Sequence, residues 1–275
     1  MKLKNLLKPS LTDPMSLQEV VAKLQAQEDI DAILFAGSTG KETLKSYSDY
    51  DLLIILNEMA SPPSLLITTI DGILSELYFL QASAADDILQ HPRKVEANTL
   101  HGAFVSMIAR GKIAYDASGR LKRLRTAAPQ TQIDQVLDHQ IYSAWYSVTY
   151  NHAQNLRYYH SEDQLYLTAL QCRLLYCISN CLSAYFTLRG LPWRGEKDAI
   201  RYLQQNDPAY LELFQMTVSA GPVEKQFPIY EKLVEQTLVD GWPKWPSQYT
   251  VLQPHYDLSE EKIAAMHRVW NRWVA

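Results

Sequence analysis

Asp49-Tyr50-Asp51 stands directly ahead of an apolar run, Leu52-Leu53-Ile54-Ile55-Leu56. Side chains two apart on a strand point the same way, about 6.5–7 Å from each other along the backbone, so both carboxylates can be presented to one place. That suits Mg²⁺, a hard cation commonly held by one or two carboxylates while substrate phosphates and waters complete its octahedron. Gly37-Ser38 closes another apolar run, Ile33-Leu34-Phe35-Ala36, and offers a turn where the backbone can approach phosphate oxygens. Ser38 would donate through its N–H and hydroxyl, and Thr39, Gly40 and Lys41 extend the same surface. Glu76 heads a third apolar stretch, Glu76-Leu77-Tyr78-Phe79-Leu80, and is expected beside the aspartates as a metal ligand or as general base on an acceptor hydroxyl. Asp71 is its rival, set behind Glu76 because it falls in a segment read as helical and precedes Gly72. Three carboxylates and an anion-binding turn are the parts of a phosphoryl-type transfer site, where positioning and electrostatics do most of the work.

These residues need strands to carry them. The run 33–36 reads as a buried strand ending in a tight turn, with a helical turn over 41–45. The run 52–56 lacks alternation, which marks a central strand covered on both faces. Residues 76–80 are rich in aliphatic and aromatic side chains and read as a third strand. A helix is expected over 16–28, with Leu17, Val20, Val21 and Leu24 on one face behind Ser16 as N-cap. Further helices are expected over 64–73, 84–90 and 95–110, then a strand over 112–116 running into a turn at Ala117-Ser118-Gly119. Composition shifts at 126–132, and everything beyond reads as helical: 133–159, 162–188, 196–205, 208–219, 222–239, and a last helix behind the capping-box-like Asp257-Leu258-Ser259-Glu260. The expected fold is α+β, with domains over 1–128 and 129–275.

With 275 residues the chain is long enough for two modest cores, and 47% hydrophobic and 20% charged residues match a globular protein. Its apolar runs stop well short of the roughly 18 residues a bilayer span needs. The first residues carry basic groups without a long apolar stretch, so a cytoplasmic location is expected. A net charge of -4 supplies no field for a polyanion, which disfavours a nucleic-acid partner and favours a small acceptor. Cys172, Cys177 and Cys181 share one expected helix with no metal-ligand spacing and read as reduced thiols. His101, His139, His152 and His160 are scattered, and the aromatic residues from Tyr142 to Tyr166 recur at helical spacing, which reads as packing more than as an acceptor cleft. Glu162 and Asp163 read as capping or surface acids.

Gly37-Ser38, a ten-residue spacer, Asp49-Tyr50-Asp51 and an apolar strand together resemble the signature of the DNA polymerase β-type nucleotidyltransferase superfamily. The wording Gly37-Ser38-Thr39-Gly40-Lys41 and Ser48-Asp49-Tyr50-Asp51-Leu52 is similar to its aminoglycoside and lincosamide branch. The resemblance covers residues 30–80 firmly, with Tyr50 standing where the family often has an aliphatic residue. It implies a mixed sheet flanked by helices, followed by a helical bundle that contributes to the acceptor and nucleotide cleft. It assigns metal or base roles to Asp49, Asp51 and Glu76, in a two-ion Mg²⁺ site, and triphosphate contact to Gly37 and Ser38. Lys197, at the start of an expected helix, is similar to a lysine that related adenylyltransferases bring from their helical domain. The implied activity is transfer of a nucleoside monophosphate, AMP first, from Mg-NTP to a hydroxyl of a small molecule with release of pyrophosphate. The alternative from another class is a regulatory nucleotide-binding protein, such as the partner of a helical toxin.

Overall fold

The computed structural model describes residues 15–40, 48–91, 100–127, 136–238, 242, 244 and 260–274. The chain divides into two compact units, residues 1–133 and 134–275. The architecture is α+β: a mixed five-stranded sheet with helices, followed by a helical unit.

In the first unit, α1 (Leu17–Gln25) opens with a complete capping box, the Ser16 side chain accepting from the Glu19 N–H and Glu19 reaching back to the Ser16 N–H. Two of the orphan donors of the helix start are thereby satisfied. Strand β1 (Ile30–Phe35) ends in a single helical turn, α2 (Gly37–Gly40), and β2 (Tyr50–Leu56) returns antiparallel to it, Phe35 facing Leu52. Strands β3 (Leu65–Ile70) and β4 (Ile73–Gln81) form a hairpin, and β4 lies between β2 and β3, parallel to β2. Strand β5 (Lys112–Asp116) pairs with the far side of β1, giving the order β3-β4-β2-β1-β5.

Both faces of β2 are covered, as its unbroken apolar run requires. Leu53 and Ile55 join Leu80 and the helices α3 (Ala82–Gln90), α4 (Leu100–Arg110) and α5 (Arg120–Ala127) in one core. Tyr50, Leu52, Ile54 and Leu56 pack on the other face with Val20 of α1. The buried Asp31 of β1 is paired with Arg120, which also reaches Asp86, so that one guanidinium ties β1, α3 and α5 together.

Two expectations are corrected. The segment 64–73, read as a helix, is β3 and a hairpin turn. Four of the six residues in its Leu-Leu-Ile-Thr-Thr-Ile sequence are β-branched, and Asp71-Gly72, with φ of 54° and 74°, is the pair that a type I′ turn demands. Helix α5 was not expected at all. Its six polar or small residues hide a two-residue apolar stripe, Leu121 and Leu124, three apart and fully buried. The expectations placed on 41–45, 95–99, 128–132 and 257–259, and on the Ser38 and His101 side chains, lie outside the described residues.

The second unit begins with the long helices α6 (Asp138–Tyr159) and α7 (Gln164–Leu188), followed by α8 (Glu196–Asn206), α9 (Pro208–Ser219) and α10 (Val223–Thr237); α11 (Glu260–Val274) comes last. Asp163 caps α7 by accepting from the Leu165 N–H. The core is built on Leu170, Leu174, Cys177, Cys181, Phe227 and Leu233. Cys177 and Cys181 are buried free thiols and burial raises both, Cys181 to about 12, so neither is a nucleophile at neutral pH. Among the aromatic residues, Trp145 is buried, Tyr142, Tyr146, Tyr158 and Tyr159 pack against the core, and Tyr150 and Tyr166 are exposed. No helix among the described residues is long and apolar enough to cross a membrane.

Candidate active site

The antiparallel pairing of β1 and β2 brings the end of one to the start of the other, so that the turn at Gly37 meets the aspartates. The Ala36 N–H donates to the Asp51 carbonyl at 2.8 Å, and the Gly40 N–H donates to the Ala36 carbonyl at 2.9 Å. Thr39 is buried and its hydroxyl is committed inward, donating to the Asp49 carbonyl and accepting from the Asp51 N–H. Thr39 therefore staples the turn to β2, and only its backbone is left for an anion. Gly37 has φ +53°, and a Cβ built on it would lie 2.2 Å from Asp51 Oδ2. The Asp51 carboxylate thus rests against the bare Cα of Gly37, a contact that no other residue type permits.

The parallel pairing of β2 and β4 sets Asp51 directly opposite Glu76, and Leu53 opposite Tyr78. Residues directly opposite each other on neighbouring strands project to one face, about 4.8 Å apart. Tyr50, between the two aspartates, is buried in the core of the opposite face, which leaves Asp51 on the side of Glu76. The Tyr78 hydroxyl donates to Glu76 Oε2 at 2.5 Å. Its phenol is pushed well above the ordinary tyrosine value, first by that bond to Glu76, then by burial, then by the negative charges of Glu76, Asp51 and Asp49. All three acids therefore lie within electrostatic reach of one phenol.

Asp71 sits elsewhere. It occupies the β3–β4 turn, where its carboxylate accepts from the Leu17 N–H at 2.9 Å and from the Tyr50 hydroxyl at 3.3 Å. Burial, followed by the Asp71 charge, raises that phenol. Asp71 thus satisfies a free N–H at the start of α1 and joins it to the sheet. Replacing it with alanine is expected to lower stability by about 1–2 kcal/mol and to leave nucleotide chemistry intact; a thermal melt and an NTP assay check the two halves. Loss of chemistry without loss of stability would return Asp71 to the site.

The remaining expected contacts are Ser38, Lys41 and Lys197. Ser38 belongs to α2, and Lys41 lies outside the described residues. Lys197 is exposed in the first turn of α8, in the second unit. Sequence reasoning missed Tyr78 and the inward role of Thr39. The signal for Tyr78 was available, since Glu76 and Tyr78 alternate on one strand face.

Among the described residues no three His, Cys, Asp or Glu side chains converge as a ready-made metal cage. The donor set nevertheless suits Mg²⁺, because paired carboxylate oxygens beside an open backbone turn are what that ion uses, its other positions being filled by water and phosphate.

No family model matches the chain, and no curated protein does. Among solved structures it is similar to a nucleotidyltransferase-like protein from Exiguobacterium sibiricum 255-15, with a TM-score of 0.42 and 11% identity, over 81% of this chain and 73% of that one.

Proposed function

We propose that this chain is a nucleotidyltransferase that moves a nucleoside monophosphate, AMP first among the candidates, from an NTP to a hydroxyl of a small acceptor. The observation that carries the reading is the register that sets Asp51 opposite Glu76, with Asp51 seated on the bare Cα of Gly37. Like charges facing each other across a sheet are destabilising, so such a pair has a reason to exist when Asp51 holds a cation whose charge offsets them.

In this reading Asp49 and Asp51 hold Mg²⁺. The ion would neutralise triphosphate charge and polarise the α-phosphate. The backbone turn at Gly37-Ser38 receives phosphate oxygens, and Lys41 adds positive charge to the nucleotide. Glu76 takes the proton of the acceptor hydroxyl on Oε1, since Oε2 is held by Tyr78. The acceptor oxygen forms a bond to the α-phosphorus, the bond from that phosphorus to the bridging oxygen breaks, and pyrophosphate leaves.

The test is incubation of the full chain with Mg²⁺ and α-labelled NTPs against a panel of hydroxyl-bearing small molecules, with pyrophosphate release measured in parallel. Label transfer to at least one acceptor, absent without divalent metal, is the expected result. Metal-dependent nucleotide binding with no pyrophosphate from any acceptor would replace the enzyme by a regulatory nucleotide-binding protein.

A further inference from the structure

We propose that the Tyr78 hydroxyl holds Glu76 apart from Asp49 and Asp51, keeping it as proton acceptor and out of the metal's ligand set. The inference rests on the nucleotidyltransferase reading and divides its three acids by role. Glu76 stands directly opposite Asp51, a position from which an untethered carboxylate could reach a cation held by its neighbour. Yet no three acids among the described residues form a ready-made metal cage, and Oε2 of Glu76 is bonded at 2.5 Å to a hydroxyl two residues further along the same strand. The tether is itself anchored. The Tyr78 ring packs against the core under the sheet and meets Phe104 edge-on, with ring centroids 6.2 Å apart. A carboxylate held by one oxygen on a fixed donor keeps its other oxygen free and aimed, which is what a general base needs.

Tyr78→Phe removes the hydroxyl and keeps the ring, so the contact with Phe104 survives. Mn²⁺ binding to the full chain, followed by electron paramagnetic resonance, reads the ligand set without any acceptor. The freed Glu76 is expected to join the ion, so that Tyr78→Phe binds Mn²⁺ about tenfold more tightly while pyrophosphate release falls about tenfold. Glu76→Gln is expected to bind Mn²⁺ like the parent chain and to lose turnover. The double variant, which has no carboxylate to free, is expected to keep parental Mn²⁺ affinity; an effect of Tyr78 that bypassed Glu76 would persist there. Parental or weaker Mn²⁺ binding in Tyr78→Phe, unchanged turnover in it, or weakened Mn²⁺ binding in Glu76→Gln would each overturn the inference. Asp51→Asn separates the two levels. If it abolishes Mn²⁺ binding while Tyr78→Phe changes nothing, only the role of Tyr78 falls; if it leaves Mn²⁺ binding intact, the metal site and the tether fall together.

Discussion

Asp51→Asn should abolish transfer by a factor of at least about 10³ while leaving the fold as stable as before. The backbone of Asp51 is tied to the turn whatever its side chain carries, its carbonyl accepting from Ala36 and its N–H donating to the Thr39 hydroxyl. The side chain carries the charge, and asparagine keeps its shape. Because Asp51 faces Glu76 across parallel strands, removing one of two like charges also relieves a repulsion. The melting temperature without metal is therefore expected to hold or rise, which is the opposite of what a structural aspartate would give. Divalent metal sharpens the contrast. A ligand that binds only the native state stabilises it by about 2.7 kcal/mol when present at a hundred times its Kd. The parent chain should show an upward shift of its melt in millimolar Mg²⁺ or Mn²⁺, and Asp51→Asn should show none. Calorimetry with and without metal, beside the labelled-NTP assay, measures all three quantities. Turnover near that of the parent, or a collapsed melt, would remove Asp51 from the chemistry.

The parts of this site that were legible in the sequence are those set by short-range rules. The five apolar residues after Asp49-Tyr50-Asp51 announce a covered strand with acid at its mouth, and β2 indeed begins at Tyr50, with Asp51 within it and Asp49 just ahead. Gly37-Ser38 at the end of the preceding apolar run similarly marks a turn. What the sequence did not carry is pairing. Nothing local states that β4 inserts between β2 and β3, and the register that sets Glu76 opposite Asp51 follows from that insertion. The helix expected over 64–73 hid it: a helix there removes the β3–β4 hairpin, and with it the Asp71-Gly72 turn that fixes where β4 begins. As a type I′ turn, those two residues put Asp71 at the hairpin tip, bonded to the start of α1. Thr39 shows a different limit. A threonine beside an anion-binding turn reads as one more donor, yet its hydroxyl is spent on the backbone of β2. Whether a hydroxyl turns outward or inward depends on partners twelve residues away, which spacing alone does not reveal.

Gly37→Ala should disable the same carboxylate from the other side, at a cost in stability that Asp51→Asn does not carry. Two penalties act at once. The backbone at φ +53° disfavours any side chain, by about 1–2 kcal/mol, and the new Cβ would stand 2.2 Å from Asp51 Oδ2, far inside contact distance. One partner must yield. The turn is pinned by the Ala36 N–H to Asp51, by the Gly40 N–H to Ala36 and by the buried Thr39 hydroxyl, whereas the carboxylate is the rotatable end of a side chain. The carboxylate is therefore expected to swing off its seat, and Mn²⁺ affinity and transfer to fall about 100-fold or more together with a lowered melting temperature. A double-mutant cycle separates the penalties. In an Asp51→Ala background the Oδ2 and Cγ atoms are gone, and the nearest remaining atom of residue 51, its Cβ, lies at an ordinary 3.7 Å. Gly37→Ala should then cost only the backbone strain, and the difference in melting between the two backgrounds measures how tightly Gly37 holds the acid in place. Equal costs in both would mean that Gly37 serves the turn alone and that Asp51 is positioned by something other than the space a glycine leaves.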